Sequence, residues 1–159
     1  MSSLELVRGL EALLEKGFDD SFAGFCAAEF SSHRYPPANL APARMHAFHL
    51  RLAIQELTTV VPPDRVPAPG RVVGEEIKVG GTVYPGGTDP ALCIVEETRF
   101  ILGPSGPKGG ITADIRREIA ARCFEATLRD GGGAESFCRL FIRSWCMYFS
   151  REETGHQPH

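Results

Sequence analysis

Stretches rich in proline and glycine constrain the fold of this chain more than any other feature. They lie at 31–39, 62–70, 103–110 and 129–133. Proline removes a backbone donor and fixes φ, so neither a helix nor a central strand continues through such a stretch. The regular elements are therefore expected to lie between these breaks.

Three segments have the spacing of apolar residues that is typical of amphipathic helices: 3–16, 42–61 and 113–129. In the first, Ser3 suits the N-cap and Gly17 suits the residue after the last turn. These three segments are predicted to be helical.

Three other segments, 21–30, 91–102 and 136–149, are predicted to be strands. The first has aromatic and small apolar residues without a helical stripe, and the other two alternate with period two. A β-hairpin is predicted within 71–87, where the Gly80-Gly81 pair suits a tight turn.

The order strand, loop, helix, break, strand occurs twice along the chain. This order predicts an α+β fold in which two βαβ halves form one mixed sheet with helices on one face, preceded by an N-terminal helix. Residues 1–150 are expected to form a single domain that includes an N-terminal helical extension over 1–20, and 151–159 to form a polar tail.

The composition is that of an ordinary globular protein: 43% hydrophobic residues, 23% charged residues and a net charge of -3 over 159 residues. A nucleic-acid-binding domain usually carries a basic surface, so the charge argues against a DNA or RNA partner. No apolar run approaches ~18 residues, and the N-terminus lacks the pattern of a signal peptide. We therefore expect a cytoplasmic protein without a membrane partner.

The five cysteines are odd in number, lack CxxC or CxxH spacing and lie in apolar runs, which predicts buried free thiols. Among the histidines, His46 and His49 are three apart on a predicted helix, and His33 lies in the preceding break. No flanking carboxylate completes a metal site, so structural histidines are expected, with no metal and no cofactor.

The loop over 103–110 joins a predicted strand to a predicted helix and carries Lys108. A P-loop requires G-x-x-x-x-G-K-[ST] and free backbone N–H groups. Here Lys108 stands at the position of the second glycine, no Ser or Thr follows it, and two prolines remove donors. The nucleotide-binding interpretation therefore fails, while Lys108 remains a candidate contact for a ligand anion.

The segment 136–149 carries arginines among aromatic residues. In an extended conformation Arg139, Arg143 and Trp145 lie on one face. Guanidinium groups bind carboxylates bidentately and flat rings pack on an apolar body, so this face predicts a carboxylate pocket. The alternative is an exposed or interfacial sheet face on which arginines stack on aromatic rings.

Glu97 and Arg99 share a face of the neighbouring predicted strand. Glu97 is the candidate general acid or base if it is buried, and Arg99 is a further candidate contact to substrate. The alternative is that both residues pair with charged side chains of the adjacent strand.

The order of elements resembles that of the tautomerase superfamily, and most closely its 5-carboxymethyl-2-hydroxymuconate isomerase branch. The resemblance covers about residues 22–149 and is carried by CIVEETRFILGPSGPKGGITADIRREIAARCFEATLRDGGGAESFCRLFIRSW, preceded by a comparable half. It implies a trimer or hexamer that moves protons on enols and keto acids, with arginines on the substrate carboxylate. The family base is an amino-terminal proline, whereas this chain begins Met-Ser-Ser. A side chain such as Glu97 or Glu29 would have to transfer the proton.

The sequence therefore supports two functions. The first is a small-molecule enzyme of isomerase/tautomerase or lyase type that acts on a carboxylate-bearing unsaturated or aromatic substrate. Its catalytic residue would be Glu97, and its substrate contacts Arg139, Arg143, Trp145, Arg99 and Lys108. The second is a noncatalytic oligomerisation or ligand-binding module that has lost the family base. A homo-oligomer, with a trimer favoured, is expected in both cases. A hotdog-like acyl-thioester enzyme is a third interpretation, against which the predicted helix after Thr112 argues.

Overall fold

The computed structural model describes residues 2–32, 42–60, 77–79, 82–84, 88–102 and 112–149. Within these ranges the chain forms six helices and one short hairpin. The helices are α1 (Ser3–Lys16), α2 (Asp20–Ser32), α3 (Pro42–Val60), α4 (Pro90–Leu102), α5 (Thr112–Arg129) and α6 (Ala134–Tyr148). The strands β1 (Ile77–Val79) and β2 (Thr82–Tyr84) pair antiparallel.

The predicted α+β fold with a mixed sheet is wrong, because its three long strands are helices. The segments 21–30 and 91–102 lie within α2 and α4, and all of 136–149 except its last residue lies within α6. The described residues therefore contain no pair of βαβ halves. The tautomerase-like layout depended on that order of elements and is corrected with it.

The error arose from the period assigned to these segments. A strand with one buried face buries every second residue, whereas α6 buries residues in clusters about 3.6 apart: Phe137, Cys138, Phe141, Ile142, Ser144, Trp145, Cys146 and Tyr148. Within 136–149 only Ile142 is β-branched, and the leucine, arginines and methionine favour helix. Short runs of interleaved polar and apolar residues fit either period, and packing selected the helical one.

The predicted helices at 3–16, 42–61 and 113–129 are confirmed as α1, α3 and α5. The cap of α1 is one residue earlier than expected. Ser2 Oγ accepts from the Glu5 N–H at 3.1 Å, and Glu5 Oε1 accepts from the Ser2 N–H at 3.1 Å. This reciprocal capping box satisfies two orphan donors. Gly17 follows the last turn at φ 89, a left-handed value that favours glycine.

Aspartates cap two of the three helices whose segments were predicted as strands. Asp19 Oδ1 accepts from the Phe22 N–H at 2.9 Å at the start of α2. Asp89 Oδ1 accepts from the Ala91 N–H at 3.0 Å, with Pro90 as the first residue of α4. A capping carboxylate and a proline in the first turn both favour helix initiation.

The helix α6 lies at the centre of the described fold and packs against the other five helices. Its buried aromatic side chains form a column along one side. The ring centroids of Phe137 and Phe141 are 6.3 Å apart, those of Phe141 and Trp145 are 5.7 Å apart, and Phe149 continues the column 4.6 Å from Trp145. Buried apolar side chains from the surrounding helices complete one core.

The hairpin predicted within 71–87 is present as β1 and β2, which pair Ile77 with Tyr84 and Val79 with Thr82. It is a two-stranded ribbon next to α4 and not part of a larger described sheet. The polar tail over 151–159 and the loop over 103–110 lie outside the described residues.

Candidate functional site

Glu97, the candidate catalytic residue, lies on α4 where this helix faces α5. Arg122 of α5 donates a hydrogen bond from Nη1 to Glu97 Oε2. The same guanidinium donates from Nε to Glu118 Oε2 at 3.0 Å. One arginine therefore binds two carboxylates, and it holds Glu97 in an ion pair between α4 and α5.

A small cleft of about 40 Å³ lies beside this ion pair, between α4 and α5. Glu97 and Arg122 form part of its polar wall, and Cys93, Ile94 and Ala126 contribute apolar surface. This volume accommodates a few water molecules, whereas small-molecule sites typically enclose roughly 300–1,000 Å³. The cleft is far smaller than an aromatic carboxylate requires.

Arg143 joins three elements. Its Nε donates to Asp89 Oδ2 at 2.7 Å, and its Nη1 donates to Glu29 Oε2 at 3.2 Å. Glu29 belongs to α2, and Asp89 is the cap of α4. Arg143 therefore ties α6 to α2 and to the start of α4, and its guanidinium is occupied by carboxylates of the protein itself.

Arg139 lies one turn before Arg143, so the two arginines share the side of α6 that faces α2. Arg139 Nε donates to Glu135 Oε1 at 3.2 Å, within the same helix. Its guanidinium carbon lies 4.6 Å from the ring centroid of Phe25 on α2. The arrangement is a cation–π contact supported by an ion pair.

Trp145 does not lie with these arginines. It is 2% exposed, and its ring stacks on that of His49 of α3 with centroids 4.5 Å apart. In a helix, residue 145 points away from residues 139 and 143, whereas strand alternation had placed all three on one face. The structure therefore brings together Arg139 and Arg143 but not Trp145.

Arg99 lies at the C-terminal end of α6. Its Nη2 donates to the backbone carbonyl oxygens of Met147 at 3.3 Å and Tyr148 at 3.1 Å. The last carbonyls of a helix have no partners within the helix, and a cation there also complements the helix dipole. Arg99 therefore acts as a C-terminal cap supplied by another helix. Lys108 lies outside the described residues.

The five cysteines are free and buried, as the sequence predicted. Burial raises the pKa of Cys26 to about 12, because its effect exceeds that of the nearby charge of Arg139, which lowers the pKa. This thiol therefore stays protonated. Burial likewise raises the pKa of Cys138 to about 12 and raises those of Cys123 and Cys146. A nucleophilic cysteine needs an accessible thiolate, and these thiols have the opposite environment.

Of the three histidines considered as ligands, only His49 has a described side chain; His33 and the side chain of His46 lie outside the described residues. Within those residues, no group of three or more His, Cys, Asp or Glu side chains is arranged to hold a metal ion.

Sequence patterns missed one cluster of charges, between α3 and α5. Arg116 donates to Glu56 from Nε at 2.8 Å and from Nη2 at 3.1 Å, and Arg117 donates to the same carboxylate at 3.2 Å. Hydrogen bonding to Arg116 lowers the pKa of Glu56. The partners are about 60 residues apart in sequence, so no local spacing could have signalled the contact.

None of the described helices is both long and apolar enough to traverse a bilayer. No protein-family model matches the chain, and no curated protein and no solved structure is significantly similar to it.

Proposed function

We propose that this chain is a noncatalytic helical module that assembles with further copies of itself. The observation that carries the proposal is the exposure of two large aromatic side chains: Phe100 on α4 is 71% exposed and Phe48 on α3 is 60% exposed. Aromatic side chains are enriched at protein interfaces and often dominate their binding energy. Contact with further copies of the chain would remove these rings from water.

The arginines of the candidate site are bound to other groups of the protein, which supports a noncatalytic role. Arg122, Arg139 and Arg143 each bind a carboxylate of the protein, and Arg99 caps a helix. These contacts stabilise the fold: those of Arg122 and Arg143 join helices, that of Arg99 caps a helix end, and that of Arg139 lies within α6. A substrate carboxylate would have to displace a protein carboxylate from Arg143 in order to bind there.

The mass of the protein in solution tests self-assembly directly. We expect sedimentation equilibrium to give a mass that is a multiple of 17.3 kDa at micromolar concentration. Phe100→Ser should lower the mass towards one chain, because a hydroxyl side chain contributes little apolar area to an interface. Phe100→Tyr is the matched control and should retain assembly, since the ring is preserved. A wild-type mass of 17.3 kDa across the concentration range would contradict the proposal.

The small-molecule enzyme of isomerase or lyase type stays a prediction with its own test. If Arg143 binds substrate, titration calorimetry with small unsaturated and aromatic carboxylates, such as cinnamate and phenylpyruvate, should give heat that Arg143→Ala abolishes. Turnover of a bound compound should then depend on Glu97, with Glu97→Gln inactive. Absence of binding at millimolar concentration would remove support for both roles.

A further inference from the structure

His49 lies where α3 meets α6. Its ring stacks on Trp145 with centroids 4.5 Å apart and planes inclined by 28°, and Phe48 contacts it edge-on at 5.2 Å. The Nδ1 atom of His49 is buried and has no hydrogen-bond partner within the described part of the chain. Packing, and not a hydrogen bond at Nδ1, therefore holds this side of the ring. This environment suits a neutral imidazole better than a charged one.

The fixed charge that acts on His49 is a cation, Arg116 of α5. Arg116 is buried and bound in bidentate fashion to Glu56 of α3. Its charge is therefore present at every pH at which the fold persists, and a proton on His49 would add a second positive charge nearby.

The other elements packed against α3 bring no described carboxylate that acts on His49. On α2, Asp20 is exposed and Glu29 binds Arg143, which is itself on α6. On α3, Arg51 is exposed. Burial raises the pKa of Tyr148 on α6, so its hydroxyl is uncharged at neutral and acidic pH. The charged side chains of α1 are all exposed: Glu5, Arg8, Glu11, Glu15 and Lys16.

We propose that His49 makes the contact between α3 and α6 sensitive to mild acid, because protonation places an unpaired cation in the stack with Trp145. Both ring nitrogens then carry hydrogens, and the buried Nδ1–H faces no described acceptor. The face of an indole attracts cations, and this contribution opposes the effect. Burial first, and the charge of Arg116 second, lower the pKa of His49 below its ordinary value of 6.5.

The direction of the pH dependence follows from that shift. A histidine with a lowered pKa in the folded state contributes stability above its unfolded pKa, about 6.5, and loses it as the pH falls towards the folded pKa. Between these two values one additional proton binds to the unfolded chain. The unfolding equilibrium constant should therefore rise by up to about tenfold for each unit by which the pH falls within this window.

The chain contains one tryptophan, so its fluorescence reports on the stack with His49. An imidazolium in contact with an indole quenches its emission. We expect the emission of Trp145 to fall with a midpoint below pH 6.5, and urea unfolding to show the rise in the unfolding constant over the same window. His49→Phe should remove both the fall in emission and the rise in the unfolding constant. The control His156→Gln, in the tail over 151–159, should retain both effects.

Three results would overturn the proposal: a fluorescence midpoint at or above 6.5, a titration of the same size in His49→Phe, or an unfolding constant independent of pH in this window. If His49→Phe does not fold, NMR titration of the wild-type His49 imidazole decides the question. A pKa in the folded protein that is below that in the urea-unfolded chain supports the proposal, and an equal or higher value overturns it.

Discussion

The two sides of α6 are stabilised by different forces. One side carries Phe137, Phe141 and Trp145, which are buried and stacked along the centre of the protein. The side that faces α2 carries Arg139 and Arg143, which are only partly buried and bind carboxylates and one aromatic ring. The aromatic residues and the arginines each recur every four residues, with the arginines midway between the aromatics. In the sequence the two sets therefore alternate with the spacing of a strand.

This comparison predicts unequal sensitivity to substitution. Removal of apolar surface from the buried side costs the transfer free energy of the side chain and leaves a cavity. Ion pairs on the partly exposed side are screened by water and contribute much less. The predictions below test this difference, from the largest expected effect to the smallest.

Phe141→Ala should have the largest effect, because the ring is fully buried between Phe137 and Trp145. The free energy of unfolding should fall by about 3–5 kcal/mol. Urea denaturation followed by circular dichroism measures this change. Phe100→Ala is the matched control: with both variants measured at a concentration at which the chain is monomeric, it should change stability by less than about 0.5 kcal/mol, since this ring is 71% exposed. Equal losses in the two variants would contradict the comparison.

Arg143→Met should destabilise the protein by about 1–2 kcal/mol, because it leaves the partly buried carboxylates of Glu29 and Asp89 without this cation. The same denaturation measurement applies. A double-mutant cycle with Glu29→Gln should give a coupling energy of about 0.5–1 kcal/mol. Additive effects of the two substitutions would show that the ion pair contributes nothing to stability.

Arg139→Met should have a smaller effect, of about 0.5–1 kcal/mol. Its pair with Glu135 is a pair within one helix turn, and its further contact is the ring of Phe25. Both arginines contact α2, so a larger effect of Arg143→Met reflects its bonds to the carboxylates of Glu29 and Asp89. Salt should reduce the Arg139 effect more, because its partner Glu135 is more exposed than Glu29 and Asp89.

The ion pair of Glu56 with Arg116 should contribute to the loss of stability in acid. The pKa of Glu56 is lowered by the hydrogen bond from Arg116, so its contribution to stability is present above the ordinary value of 4.5 and is lost as the pH falls below it. Glu56→Gln should reduce the loss of stability between pH 5 and 3 by a fraction of a kcal/mol, since the pair is partly exposed to water. Urea midpoints at these two pH values measure the change, and an unchanged pH dependence would contradict it.

The local sequence predicted three helices correctly because each has an apolar stripe between clear breaks. In α1, Leu6 and Leu10 are buried, and in α5 Ile115, Ile119 and Cys123 are buried. The prediction failed for α2, α4 and α6, because period two was assigned to segments 21–30, 91–102 and 136–149, or no helical stripe was recognised in them. In α6 the buried Phe137, Phe141 and Trp145 follow the helical spacing, but arginines fall midway between them and imitate the alternation of a strand.

The candidate site was predictable only in part. Arg139 and Arg143 do share a face, because four residues are two repeats of a strand and about one turn of a helix. Glu97 and Arg99 are two residues apart, so they would share a face of a strand but point in different directions from a helix. Glu97 therefore contacts α5, and Arg99 contacts the end of α6. The bond between Arg116 and Glu56 joins residues far apart in the chain, and no spacing rule anticipates it.

By itself, the sequence determined the capped helix α1, the buried thiols and the hairpin, since these depend on local backbone chemistry and on burial of small apolar side chains. Only the tertiary structure decided that α6 is the central helix, that the arginines bind the protein's own carboxylates and that Trp145 stacks on His49. Helix and strand compete within about 1 kcal/mol per residue in local propensity, and burial of a single aromatic side chain outweighs that difference. Packing between distant segments therefore selected the fold.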